Sequence, residues 1–308
     1  ILCTCSRFCT IFLFRFCPAL NLMEPTVGIL GLGYLGSTLA RLVPWSPQSW
    51  GTCRPSSYPA ILTEQPLPVL PFDWTHTSSW EVLPVQSATL ILTIPPIRDL
   101  EANRNHLQQW SAWMREHRPA CSRLLYVSTT GIYPKRAGVW TEDTREEPDS
   151  LSGELRKQTE DLLGEAFDLQ VVRPGGIYGP KRNLWQRLRN GQAMPTSPHQ
   201  PTHRIHVEDL ARLIHLLILQ PELPSCINAV DHQPLPSLRV AQWCAKQRPT
   251  VLSPENHELL AEPEAAVPFL ERRISNQRLQ STGLLLRYPT YQEGYHSLLD
   301  EPLNQLRA

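Results

Sequence analysis

Gly31-Leu32-Gly33-Tyr34-Leu35-Gly36 has the spacing Gly-x-Gly-x-x-Gly and follows the apolar run Val27-Gly28-Ile29-Leu30 directly. A strand that turns sharply into a helix next to a phosphate needs glycine at these three points. Gly31 permits the tight turn, Gly33 lets a pyrophosphate approach the backbone, and Gly36 lets the helix pack on the strand. The helix opening there presents free N–H groups and a partial positive charge, so Tyr34 and Leu35 would add their backbone to the same anion site. The chemistry expected is that of a dinucleotide held by its pyrophosphate.

The second apolar run ends Thr52-Cys53-Arg54. A fold that selects NAD places an acidic side chain there for the ribose 2′-hydroxyl, whereas a guanidinium pairs with a 2′-phosphate. NADP is therefore the favoured cofactor, with NAD the alternative and a merely solvated arginine the competing account of Arg54. Phe72-Asp73 ends a third run, where an adenine would rest, and Thr93-Ile94-Pro95-Pro96 ends a fourth, beside the expected ribose and nicotinamide. For each of Asp73, Thr93, Pro95 and Pro96 taken singly, a structural role competes equally with a cofactor contact.

The elements needed to position these residues alternate along the chain. Strands are expected at Val27–Leu30, Trp50–Cys53, Pro68–Phe72, Ala88–Ile94, Leu124–Ser128, Leu169–Arg173 and Ile227–Val230. Helices are expected at Ser37–Val43, Leu100–His117, Gly153–Phe167, Val207–Leu219 and Leu238–Lys246. Such alternation implies right-handed crossovers and an α/β fold, a Rossmann-type doubly wound parallel sheet, with a small C-terminal substrate-binding region. The text from Gly179 to Arg204 reads as irregular, and Gln247–Pro268, rich in Pro and Glu, as a surface connection.

At 308 residues, with 29 acidic and 29 basic side chains, the chain has the core of one large domain and no basic footprint for nucleic acid. Its 30 prolines fall mostly between periodic segments and punctuate loops. Residues 1–22 hold four of the eight cysteines, and their apolar stretch stops at Arg15, too short to span a membrane. They are read as a non-native or disordered extension. The division expected is a dinucleotide-binding domain over 23–180 and a substrate region over 181–308, partly interleaved with it. Cys53, Cys121, Cys226 and Cys244 show neither metal nor disulfide spacing, so no metal site is expected and a reducing cytoplasm is the default setting.

Five later motifs carry a resemblance. Tyr126-Val127-Ser128-Thr129-Thr130-Gly131-Ile132-Tyr133 and Val171-Val172-Arg173-Pro174-Gly175-Gly176-Ile177-Tyr178-Gly179-Pro180 resemble the fifth- and sixth-strand signatures of extended short-chain dehydrogenase/reductases, the NAD-dependent epimerase/dehydratase family. Arg204-Ile205-His206-Val207-Glu208-Asp209-Leu210-Ala211 resembles the helix start after that family's variable substrate loop. Asn276-Gln277-Arg278-Leu279 and Tyr288-Pro289-Thr290-Tyr291-Gln292-Glu293-Gly294 resemble the end of an atypical bacterial branch.

The resemblance implies a Ser or Thr that orients substrate and a Tyr-x-x-x-Lys pair that transfers protons. It places Thr129 at the first position, and counting back from Glu160 places Ser152 and Arg156 at the pair. No tyrosine lies between Tyr133 and Tyr178. A serine hydroxyl is far less acidic than a phenol, and an arginine rarely releases a proton, so neither replaces the usual residue directly. Tyr133 is the substitute acid if its loop turns inward. His203 and His206 flank Arg204 and are expected at the surface or in a cap, Asp209 at a helix N-terminus, and Trp110 and Trp113 in core or interface.

Two functions follow from the resemblance. One is an oxidoreductase or epimerase acting on a small polar or nucleotide-sugar substrate, its specificity set by Lys181–Thr202. The other, favoured by the missing pair, is a catalytically weak or inactive NADP-binding regulator or scaffold. No membrane or nucleic-acid partner is expected. The helices at Leu100–His117 and Gly153–Phe167 are the faces through which a homodimer would form.

Overall fold

The computed structural model describes residues 26–58, 61, 64–86, 89–192, 199–248 and 270–299. The expectations for residues 1–22 and for the connection after Arg248 lie outside the described residues.

Strands β1 (Val27–Leu30), β2 (Trp50–Cys53), β3 (Val69–Pro71), β4 (Thr89–Leu92), β5 (Arg123–Val127), β7 (Asp168–Pro174) and β11 (Cys226–Ala229) form one sheet, in the order β11-β7-β5-β4-β1-β2-β3. Every pairing in it is parallel. β1, β2 and β4 are buried along their whole length, as unbroken apolar runs must be when helices cover both faces. The chain passes from β3 to β4 with Trp74, Trp80 and Leu83 packed in one core with Leu107, Trp110 and Met114, and the strand order reverses between β1 and β4. A crevice opens at the carboxyl ends of the strands at such a point.

Helix α1 (Tyr34–Leu42) lies on one face with α5 (Val207–Leu219), sharing a core that includes Leu35, Leu39, Leu210, Leu213 and Ile214. Helices α2 (Leu100–His117) and α3 (Leu151–Ala166) cover the other face through Leu107, Trp110, Met114 and Leu163. Replacing Leu163 or Leu213 with Ala would cost about 2–5 kcal/mol, because neither close-packed site can collapse fully. Trp110 is fully buried and lies 4.9 Å from Trp74, so it is a core residue. The Asp99 side chain accepts from the Ala102 N–H and fixes the start of α2. Ser150 does the same for α3 by accepting from Gly153, which is why that helix begins two residues before the expected Gly153.

The segment expected to be irregular contains structure. Asn183 caps α4 (Leu184–Arg189), and Trp185 and Leu188 of that short helix pack on α6 (Ser237–Gln247) with Tyr291 and Tyr295 of α8 (Tyr291–His296). Six residues are too few for a helical period to be visible, which explains the discrepancy. Three small strand pairs complete this side: β8 (Gly176–Tyr178) with β10 (Arg204–His206), β9 (Pro201–Thr202) with β12 (Leu235–Pro236), and β6 (Gly138–Trp140) with β13 (Arg272–Ile274). Helix α7 (Gln277–Ser281) follows β13.

Candidate functional site

A cleft of about 570 Å³ opens at the carboxyl ends of β1 to β4, and Gly31, Gly33, Arg54, Asp73, Thr93, Pro95 and Pro96 all line it. The glycine turn is held from two sides. Thr52 of β2 accepts the Gly31 N–H through its side chain at 3.1 Å and the Leu32 N–H through its carbonyl at 2.7 Å. The Thr93 hydroxyl reaches the Gly31 carbonyl at 2.6 Å, so Thr93 fixes the turn in addition to lining the cleft.

Gly31 adopts φ +104°, a left-handed conformation that disfavours any side chain. A Cβ on Gly36 would lie 2.1 Å from the Gly31 carbonyl, whereas one on Gly33 would meet nothing within 4 Å. The backbone is therefore bare toward the cleft and tight toward the helix. Gly33 is the N-cap of α1 and no side chain caps that end, which leaves first-turn N–H groups for an anion. These residues fit a pyrophosphate. The side chains of Tyr34 and Leu35 turn elsewhere, the tyrosine donating to the Pro180 carbonyl at 3.0 Å and the leucine entering the core. Only their backbone belongs to the turn.

Arg54 is exposed at the cleft, and no carboxylate of the described residues pairs with it. Arg98, equally exposed on the same cleft, escaped the sequence reading; its only signal was its place just after Pro95-Pro96. The Asp73 carboxylate accepts from the Thr75 hydroxyl at 2.7 Å and from its N–H at 2.9 Å, and lies 3.0 Å from His76. The Thr75 hydroxyl chiefly, helped by its N–H and His76, holds Asp73 below the usual carboxylate range.

A second cleft of about 440 Å³ lies past the ends of β5 and β7, where Thr129, Thr130, Tyr133, Lys135, His203 and Arg272 contribute to its lining. The Thr129 side chain accepts from the Gly131 N–H at 3.0 Å and caps the short turn Thr130–Ile132, which leaves its own proton to donate. Ser152 is exposed in the first turn of α3 and is absent from this lining. Arg156 donates to the Tyr126 hydroxyl at 2.9 Å and the Val127 carbonyl at 3.0 Å, tying α3 to the end of β5. Burial pushes the Tyr126 phenol up to about 12.

Tyr133 lies in a buried polar network. Its hydroxyl donates to Asn228 and accepts from Arg173, while Arg173 also spans both carboxylate oxygens of Glu160, the nearest at 2.6 Å. Burial raises its phenol above the ordinary range. The loop carries Tyr133 inward, as its role as substitute acid required, but into a network that occupies its proton. Of the four expected catalytic residues, only Thr129 and Tyr133 reach the second cleft.

The two histidines are buried, which corrects the surface reading of His203. Its Nε2 accepts from the Ile274 N–H at 2.9 Å, joining the loop before β10 to β13. The His206 ring accepts from the Glu208 N–H at 3.3 Å, a cap on α5. Asp209 sits in the first turn of α5, yet it also accepts the N–H groups of Arg287 and Tyr288 at 2.8 Å and anchors the C-terminal loop. Sequence spacing could not show that partner, which lies 78 residues away.

No family model matches the chain. Protein YeeZ of Escherichia coli K12 is 27% identical over 138 residues, 43% of this chain and 49% of that protein. The chain spans about half the length of the curated relatives it matches. A solved structure from Methylobacillus flagellatus, provisionally named an NAD-dependent epimerase/dehydratase, is 26% identical with a TM-score of 0.70, covering 90% of this chain and 98% of that one. Yeast methylglyoxal/isovaleraldehyde reductase, solved with NADPH, shares the fold at 13% identity and a TM-score of 0.69, over 89% of this chain and 98% of that one. Among the described residues no helix is long and apolar enough to cross a membrane.

Proposed function

From the premise that this chain has the fold and ordered motifs of the extended short-chain dehydrogenase/reductases, the NAD-dependent epimerase/dehydratase family, we propose that it is an NADP-dependent oxidoreductase or epimerase acting on a small polar molecule. The observation that carries this reading is the single cleft into which Gly31, Gly33, Arg54, Asp73, Thr93, Pro95 and Pro96 converge.

In this reading the turn and the open end of α1 hold the pyrophosphate, and Arg54 with Arg98 meets the 2′-phosphate. When bound, the nicotinamide supplies or takes the hydride. Thr129 donates a hydrogen bond to the substrate oxygen, and Arg156 keeps α3 against the end of β5. The division at residues 180 and 181, a homodimer through α2 and α3 and a cytoplasmic setting belong to the same reading.

Ser152 favours a second reading. Its exposed hydroxyl, where the family has a phenol, suits a protein that binds the cofactor without turning it over. One experiment separates the two: NADPH is titrated onto the full chain, and a panel of carbonyl compounds is added while nicotinamide absorbance is followed. Binding with turnover supports the enzyme. Binding without turnover supports the regulator, and no binding overturns both.

A further inference from the structure

The second cleft carries an unusual balance of charge. Its charged lining residues are Lys135 and Arg272, and no Asp or Glu of the described residues lines it. Arg272 is 9% exposed and, among the described residues, donates only to backbone carbonyls, those of Pro134 at 2.7 Å and Tyr133 at 3.3 Å. Burial lowers its pKa and Asp149 partly offsets this, yet Asp149 lies outside the lining and accepts from the Lys135 backbone N–H. A guanidinium buried without a carboxylate at hydrogen-bond distance is costly unless an anion completes it.

His203 lines the same place. It is 4% exposed, and burial, then Arg272, Arg204 and Arg273, push it down to about 3, so the ring is neutral. Its Nε2 accepts from Ile274, which puts the ring proton on Nδ1, a nitrogen enclosed by protein and without a partner among the described residues. Thr129, Thr130, Thr202 and Ser237 add hydroxyls to the same lining. Of the aromatic rings in the described lining, Tyr133 lies under the Arg173 guanidinium at 5.4 Å and His203 is buried, so that lining gives a nucleotide base no platform.

We propose that this cleft binds the oxyanion of the substrate, so that the compound acted on is a small carbonyl acid, a carboxylate or a phosphate ester. Arg272 and Lys135 supply the charge, and the hydroxyls of Thr129 and Thr130 lie in the same lining. The identification of the bound molecule as the substrate rests on the oxidoreductase reading, whereas the anion site itself does not.

The test is calorimetric binding to the cofactor-free full chain of two matched pairs: pyruvate against methyl pyruvate, and dihydroxyacetone phosphate against dihydroxyacetone. Each anion is expected to bind about tenfold or more tightly than its uncharged relative, the usual effect of one charge-assisted contact. The stronger of the two anions tells carboxylate from phosphate. Lys135→Ala, at an exposed position, should weaken the anion several-fold and leave the uncharged relative unchanged. Arg272→Lys should do the same. Equal affinity within both pairs, or anion binding indifferent to both variants, overturns the proposal. NADPH binding is measured on the same samples: its failure removes the oxidoreductase reading, while a lost anion preference alongside normal NADPH binding removes only this inference.

Discussion

The Tyr133 hydroxyl donates to the Asn228 side chain at 2.7 Å, joining the loop after β5 to strand β11 across 95 residues of sequence. Arg173 donates to the same oxygen at 2.8 Å. Tyr133→Phe leaves a buried amide oxygen and a guanidinium N–H without their partner, at a cost of about 1–3 kcal/mol. Urea unfolding should show this loss. Turnover per folded molecule should stay within a few-fold of the parent, whereas removing a true general acid would lower it by about 10²–10⁴. A large loss of turnover with unchanged stability would return the acid role to Tyr133.

Cofactor choice is expected to rest on Arg54. NADPH should bind about ten- to a hundredfold more tightly than NADH, because a charge-assisted contact to the 2′-phosphate contributes about 1.5–3 kcal/mol. Trp74 lines the same cleft, so bound nicotinamide dinucleotide should alter its fluorescence and report both affinities. Arg54→Ala should remove most of the preference and Arg98→Ala a smaller part. Equal affinities in the parent protein would refute the assignment.

Stability against pH separates three buried groups on the C-terminal side. Burial chiefly, with Arg272, Arg204 and Arg273, pushes His203 down to about 3; burial and Arg287 push His206 down to about 4. Both rings bind protons more readily when unfolded, so their stabilisation is complete above about 6.5 and is lost as pH falls toward these values. Asp231 behaves oppositely. Burial raises it from 3.8 to about 7 against the opposing pull of Arg204, with Glu293 pushing the same way as burial. Its stabilisation is complete below about 3.9 and is lost as pH rises through 7. The contributions oppose each other between about pH 4 and 6.5. Asp231→Asn should therefore steepen the fall of the melting temperature on acidification in that window, and His203→Gln should flatten it. An unchanged profile in both variants would mean that these groups titrate as they do in the unfolded chain.

The sheet was legible in the sequence because most of its strands are largely apolar runs between turn signals, and Trp50–Cys53, Leu100–His117 and Val207–Leu219 appear with the expected bounds. The residues lining the first cleft were legible because they end those same strands. The second cleft was legible only in part: Thr129 and Tyr133 stand in the fifth-strand motif, whereas Arg272 and His203 come from segments more than 60 residues apart with ordinary local contexts. What singles out His203 and Arg272 is burial without, among the described residues, a partner for an imidazole N–H or a carboxylate at hydrogen-bond distance from a guanidinium, a property that exists only once the loop before β10 packs on β13.

Thr129 bears the last expectation. Hydride transfer to a carbonyl builds negative charge on its oxygen, and a donor in place beforehand stabilises that charge. The Thr129 oxygen already accepts from the Gly131 N–H, which orients the hydroxyl and frees its proton for the substrate. Thr129→Val removes both features and should lower turnover by about 10²–10³, the usual cost of one such donor. Thr129→Ser keeps both and should restore most of the rate, which a purely steric role for the side chain would not predict. Ser152 is exposed on the first turn of α3 and away from the cleft lining, so Ser152→Ala should change the rate little. A Thr129→Val protein running at the parent rate would place the reacting oxygen elsewhere. A larger loss in Ser152→Ala than in Thr129→Val would mean that α3 closes over the substrate, bringing Ser152 to the position where the family carries its phenol.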